Sequence, residues 1–508
     1  MPIAGLDSFC YNKNMPDFSY IYKTKFIKMG VWNLLPADSE TWHTERTSRY
    51  FKKIFGFGKG TFIIQTLADD MQHPYFPQFY VDKVYDFIKQ TNQRDYQKLA
   101  KILSSFYGLR KKAKEEIPRI IKADFKKASN AGLIRAFQKN RLWANRVACF
   151  DQFGWVAEDY WNPLMEKILV KYGLKKDSAE YHRVLFILTK PEEISTTLEE
   201  KKAVLGEAIK VKRRKTGFSK AALKLAKAYG WMPCFTYGTP WQADHYSAEL
   251  KELAAKPLAG LKKQFKELAE YRKIRNRDFK SVVERYKMKA KDIQIFVDFG
   301  LALDARNEAE YLVSLCGFGL IPIYSEMAKR LYVSVRQLRH LFYEEVSACL
   351  RGQADSLKLI QAKGKITGWV FDKSMAHKKY LTPKEAGKFF AYLKKHAGNL
   401  QGHDEARGIC ASPGQVTGRA RIVRYISDMG KVKTGDILIA NSTTVDFLPA
   451  MKKAVAFVTE VGGLTCHAAV VAREFGVPCV VSLKNAVKNF KDNDLIKVNA
   501  DQGTVNKV

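Results

Sequence analysis

Paired cysteines, long apolar runs and acidic charge are all scarce in this sequence of 508 residues. Its eight cysteines (Cys10, Cys149, Cys234, Cys316, Cys349, Cys410, Cys466 and Cys479) form no CxxC pair. That spacing removes the usual structural-zinc pattern, assigns no metal ligands, and leaves reduced thiols as the simplest reading. No uncharged stretch approaches the ~20 apolar residues of a membrane span. The longest candidate, Tyr311 to Ser325, is too short and holds two glycines and a proline. The amino end has no basic region followed by an apolar run, so no secretory signal is expected, and the expected compartment is cytoplasmic, with no membrane contact. No Gly-x-x-x-x-Gly-Lys-Ser/Thr phosphate loop occurs; Gly56-Phe-Gly58-Lys-Gly60 reads as a turn.

What the sequence does hold is basic charge: 86 Lys+Arg against 52 Asp+Glu, a formal net of +34. The balance is uneven. Residues 401–508 carry 14 basic and 10 acidic residues, so +4 of the charge lies there and +30 lies in residues 1–400. The basic runs, Arg110 to Lys112, Lys210 to Lys215 and Lys262 to Lys291, are lysine-rich and interleaved with Glu, Leu and Ala at helical spacing. They read first as solvated helix faces. A phosphate-attracting surface is the second reading and nucleic acid the third, because aromatic interleaving and module signatures are missing.

Hydrophobic content of 46% supports a sizeable core, and the length suits about two to four domains. Residues 1–395 read as mainly α-helical, with apolar residues recurring at three and four positions over 80–106, 246–292 and 301–350, and with room for two subdomains. Breaks are expected at His73 to Pro77, Lys190-Pro191 and Tyr229 to Pro233. Trp155, Tyr160, Trp161, Trp231, Tyr237 and Trp241 are expected to serve as packing rims, or as walls for a flat organic substrate. Residues 396–407 are Gly- and polar-rich and read as a linker. From 408 to 508 the pattern becomes short strands, at 418–425, 436–440, 454–459, 478–482 and 495–499, with one helix at about 466–475 capped by Gly476.

The informative stretch runs from Thr459 to Pro478. An apolar strand ends, Gly462 and Gly463 let the backbone approach a ligand closely, and a helix begins near Thr465 with His467 in its first turn. Free N–H groups and the positive end of the helix dipole favour a phosphate there and keep imidazole neutral. A neutral histidine can accept a phosphoryl group and split one transfer into two steps. The expected catalytic residue is His467, with Gly462, Gly463, Leu464, Thr465 and Arg473 around the phosphate.

This box, with Ala411-Ser412-Pro413-Gly414, Gly418-Arg419-Ala420, Gly435-Asp436 and Val498 to Val505, resembles the mobile phosphohistidine (swivelling) domain of the pyruvate phosphate dikinase, phosphoenolpyruvate synthase and rifampin phosphotransferase family. The resemblance implies a multidomain protein whose C-terminal β/β/α domain swivels and is phosphorylated on His467. Val445, Ser482 and Asn493 stand where that family often has proline, glycine and glycine. The helical region is similar, in the order of Leu188 to Ser195, Ala228 to Trp231 and Tyr324 to Arg330, to the substrate-binding region of rifampin phosphotransferase. No ATP-grasp pattern is present, and 41 residues after His467 leave no space for a phosphoenolpyruvate-binding barrel. The resemblance therefore implies ATP and Mg²⁺ supplied by a separate ATP-grasp protein.

The expected function is a phosphotransferase component of the dikinase type that carries phosphate on His467 from that partner's ATP to a small-molecule acceptor. Candidate acceptor-site residues are Asp244, His245 and His182. For Arg306 and Glu308, between two apolar stretches, an ion pair ordering two helices is the first expectation and a substrate clamp the second. The alternatives are a non-catalytic phosphocarrier or regulatory scaffold, and a basic nucleic-acid-binding protein.

Overall fold

The computed structural model describes residues 18–28, 32–33, 37, 45–58, 62–66, 71–94, 96–176, 178–235, 238–372, 377–399, 407–464 and 466–508. The chain forms two compact units. One comprises residues 1–95, 107–152 and 319–402, the other residues 96–106, 153–318 and 403–508. The sequence break at 395 follows composition, whereas these units follow packing. The division falls inside the two longest helices, Asn130–Lys171 and Ala290–Arg330, each of which contributes to both units.

The first unit holds a seven-stranded sheet that helical periodicity did not reveal. Its strand order is Lys378–Leu381, Ile366–Phe371, Phe62–Thr66, Met71–Pro77, Phe26–Lys28 and Gly398–Asn399, with Trp32–Asn33 also paired to Met71–Pro77. The stretch His73 to Pro77, read as a break because of its prolines, is part of a strand between two neighbours. Burial decides the matter: Tyr75, 2% exposed, lies in a core with Phe26, Phe62, Trp369 and Phe389, while Phe76, 0% exposed, packs against Tyr80. Of the expected linker, Gly398–Asn399 pairs in parallel with Phe26–Lys28, and residues 400–406 lie outside the described residues.

The second unit joins a helical layer to the C-terminal domain. Its helices include Ala179–Thr189, Thr196–Lys212, Ala243–Ala255, Leu258–Ala269 and Tyr271–Arg285. Ser178 and Ser195 start the first two, each accepting a backbone N–H through its side chain. The stretch Ala290–Arg330 is long and apolar enough to cross a membrane by length and composition, and 67% of its most apolar window is buried inside the protein, as in a core helix.

The C-terminal domain is a seven-stranded sheet in the order Thr504–Lys507, Leu495–Asn499, Gln415–Ile422, Ile437–Ala440, Ala456–Thr459, Cys479–Val481 and Ile409–Ser412. The four strands from Gln415–Ile422 to Cys479–Val481 run parallel. Three of them, ILIA, AFVT and CVV, are buried along their whole length, as parallel strands covered on both faces require. The outer strands Ile409–Ser412 and Thr504–Lys507 were not anticipated; the second alternates weakly and ends in exposed residues. The helix His467–Phe475 packs on the strands Ala456–Thr459, Cys479–Val481 and Ile409–Ser412.

Candidate phosphoryl-accepting site

The site is built by the turn that follows the strand Ala456–Thr459. Gly462 has φ +134°, and a Cβ there would stand 2.7 Å from Cys466 Sγ, so the turn requires glycine at this position. Ser482 donates its hydroxyl to the Gly462 carbonyl at 2.5 Å and pins the turn from the side. Cys466 caps the helix, its thiol sulfur accepting from Ala469 N at 3.4 Å, and His467 is the first helical residue. Gly463 and Leu464 are buried beside it, and Thr465 lies outside the described residues. At the far end of the helix Gly476 has φ +68°, the left-handed cap that glycine provides without strain.

His467 is 3% exposed. Its Nδ1 lies 3.2 Å from the hydroxyl of Thr443, and Nε2 is buried with no hydrogen-bond partner among the described residues. Burial, and next the positive charge of Arg306, push the ring down to about 3, so it is neutral at physiological pH. The tautomer with its proton on Nδ1, donating to Thr443, leaves the Nε2 lone pair free to attack phosphorus.

Arg306 was the residue undervalued by sequence. It is 1% exposed, lies over the face of Trp155 at 4.0 Å and makes an ion pair with Glu158 at 3.4 Å. Gly154 keeps its place: a Cβ at that position would come within 3.0 Å of the Arg306 Cβ. Arg306 is therefore in an ion pair that joins two helices, but with Glu158 and not with Glu308. Glu308 instead accepts from the backbone N–H and hydroxyl of Thr196, at 2.6 and 2.7 Å, at the start of Thr196–Lys212. The available signal was the run of charged and polar residues from Asp304 to Glu310 inside an apolar helix, all of them buried.

Arg473 donates to the Leu464 carbonyl, so it braces the turn that delivers His467. Positions 467, 470 and 474 share one helical face, with about 10 Å of rise between the first and last. Val470, Arg473 and Glu474 form one wall of a cavity of about 530 Å³, faced by Phe186, Tyr271 and Leu303. Burial is the main cause that pushes the Glu474 carboxyl up to about 7, and one of its oxygens is buried without a partner among the described residues.

The three acceptor-site candidates are not in that wall. His245 stacks on Trp241, with ring centres 4.4 Å apart, and is pushed down to about 4 by burial and then by the charge of Lys452. Asp244 is exposed and accepts from the His245 backbone N–H at 2.9 Å. His182 is 8% exposed and stands edge-on to Tyr181. Of the aromatic residues expected as rims or walls, Trp155 meets Arg306 and Trp161 is packed against Phe153 and Phe299, while Tyr237 lies outside the described residues.

Residues 432–503 match the family model described as PEP-utilising enzyme, mobile domain. Over 99 residues the chain is 46% identical to a probable phosphoenolpyruvate synthase of Methanothermobacter thermautotrophicus, covering 20% of this chain and 14% of that protein. It is 46% identical over 101 residues to the phosphoenolpyruvate synthase of Pyrococcus furiosus, covering 20% and 12%, and 36% identical over 111 residues to that of Escherichia coli, covering 22% and 14%. The chain thus spans about an eighth of the length of the curated relatives it matches. The matched segment, residues 432–503, is thus similar to the PEP-utilising enzyme mobile domain, and His467 lies within it.

Proposed function

We propose that this protein is a phosphotransferase component of the dikinase type, with His467 as the phosphoryl carrier. The observation that supports this reading most strongly is a neutral His467 whose buried Nε2 has no partner among the described residues and whose ring feels the charge of Arg306. Nε2 attacks the phosphorus of a donor; the P–O bond to the leaving group breaks as the P–N bond forms. In the second step an acceptor hydroxyl attacks, the P–N bond breaks, and the hydroxyl proton leaves to solvent. Arg306 neutralises charge on the transferring group, which is the main work in such transfers.

The donor is ATP with Mg²⁺, bound by a separate ATP-grasp protein. Among the described residues no group of three His, Cys, Asp or Glu side chains is placed to hold a metal ion. The acceptor is a small organic hydroxyl compound, and the cavity along the Val470–Glu474 face of the helix is its site. That placement replaces Asp244, His245 and His182 as acceptor contacts. The compartment is the cytoplasm, where ATP is supplied.

The test is incubation of the full chain with an ATP-grasp protein and ATP labelled at the β- and γ-phosphates. Acid-labile, base-stable label on wild type and none on His467→Ala is expected; equal labelling of both overturns the reading.

A further inference from the structure

We propose that Lys452 is a positioning residue that latches the C-terminal domain onto the helical layer of the same compact unit, with His467 shut inside. The inference rests on the carrier role, because a histidine that serves two sites must be released from one of them. Lys452 follows the short helix Leu448–Met451, eight residues past Thr444 and so on the same connection as Thr443, which touches the His467 ring.

Its ammonium group crosses to the helical layer. It donates to Glu200 Oε1 at 2.9 Å and to Glu249 Oε2 at 3.1 Å, and lies 5.1 Å from the centre of the Trp241 ring. Glu200 is 0% exposed, Glu249 and Lys452 are 26% and 17% exposed, and Trp241 is buried. Two carboxylates and an aromatic face thus surround one cation, which matches the donors an ammonium carries. Charge-assisted bonds in a dry setting are the strong kind. Yet separating the two layers returns these charges to water, which recovers much of their desolvation cost. The pair therefore gives the docked state a definite register while keeping release reversible, as a carrier domain needs. A purely apolar contact of equal area would have no such offset on opening.

The experiment reads how fast diethyl pyrocarbonate acylates His467 in the full chain, by mass spectrometry, with exposed His396 as internal reference. The reagent needs a neutral imidazole in contact with solvent, so the rate at His467 reports the undocked population. Lys452→Met is expected to raise the His467 rate about tenfold, the effect of losing one strong charge-assisted contact. Lys452→Arg should restore most of the protection. Glu200→Gln, which alters the helical side instead, should move the rate in the same direction, so the test survives if one variant folds poorly by circular dichroism. Lys507→Met, whose partner Asp494 belongs to the same domain as itself, should leave it unchanged. A His467 rate within twofold of wild type in both Lys452→Met and Glu200→Gln overturns the proposal. Acylation requires no phosphorylation, so failure of the latch is distinct from failure of the carrier role, which would show as no acid-labile label on His467.

Discussion

The hydroxyl of Thr443 lies 3.2 Å from Nδ1 of His467, where it can accept from the ring in the tautomer that leaves Nε2 unprotonated. Thr443 is 9% exposed and stands on the connection after the buried strand Ile437–Ala440, so it cannot swing away cheaply. Replacing it by valine keeps the shape and removes the partner. Thr443→Val should therefore let the proton divide between the two ring nitrogens, visible as averaged ¹⁵N shifts in histidine-labelled protein, where wild type shows one tautomer. Loss of one net hydrogen bond corresponds to about 1 kcal/mol, so the phosphorylation rate of His467 should fall about fivefold.

Arg306 affects His467 through charge and Glu158 through pairing, and the two effects separate by mutation. In Arg306→Met the Glu158 carboxylate, 1% exposed, loses its cation. Removing one member of a buried pair costs about 3–5 kcal/mol, read as a shift of the denaturation midpoint. The double variant Arg306→Met, Glu158→Leu should recover most of that loss. In both, the His467 pKa should rise without reaching the ordinary value of 6.5, because burial, the larger cause of its depression, remains. An NMR titration of the His467 ring checks this.

The titration of the second unit gives a pH dependence with a definite sign. His467 and His245 are depressed to about 3 and about 4, so the stability they contribute is complete above pH 6.5 and is lost as pH falls toward those values. Asp159 and Glu474 are raised, to about 8 and about 7, chiefly by burial. Their contribution is complete below the ordinary carboxyl range and is lost as pH rises through 7 and 8. Between pH 6.5 and 8 only the carboxyls act, so the Tm of this unit should decline across that interval. Asp159→Asn should flatten the decline, and a Tm that rises from pH 6.5 to 8 in wild type would contradict the assignment.

Local chemistry made the C-terminal domain legible. Glycines at 462, 463 and 476 mark the turn and the cap around His467, and the buried strands announce themselves as short apolar runs. The sheet of the first unit was hidden because its strands come from both ends of a long insertion: Phe62–Thr66 pairs with Ile366–Phe371, three hundred residues later. Arg306 was flagged as a structural ion pair, which it is, but the approach of its charge to His467 depends on helix packing that no local pattern encodes. The acceptor candidates near Trp241 were chosen for residue type alone. Lys452, a lysine among many, gave no signal until Glu200 and Glu249 stood opposite it.

Two of the positions that depart from the family pattern turn out to share one property. Ser482 and Asn493, where the family resemblance led us to expect glycine, adopt φ +57° and +74°. A side chain in that left-handed region costs roughly 1 kcal/mol, less for asparagine, which tolerates it. Asn493 recovers some of the cost by accepting from Arg421 at 2.7 Å. Ser482 recovers its own through the bond to the Gly462 carbonyl, which ties the turn before His467 to the next strand. Ser482→Ala keeps the strain and loses the bond, so it should destabilise by about 1 kcal/mol. Ser482→Gly loses the bond but relieves the strain, so its stability should stay within about 0.5 kcal/mol of wild type. Both should loosen the turn equally, seen as faster amide exchange from Gly462 to Leu464. If Ser482→Gly were as destabilising as Ser482→Ala, the left-handed conformation at this position would carry no strain.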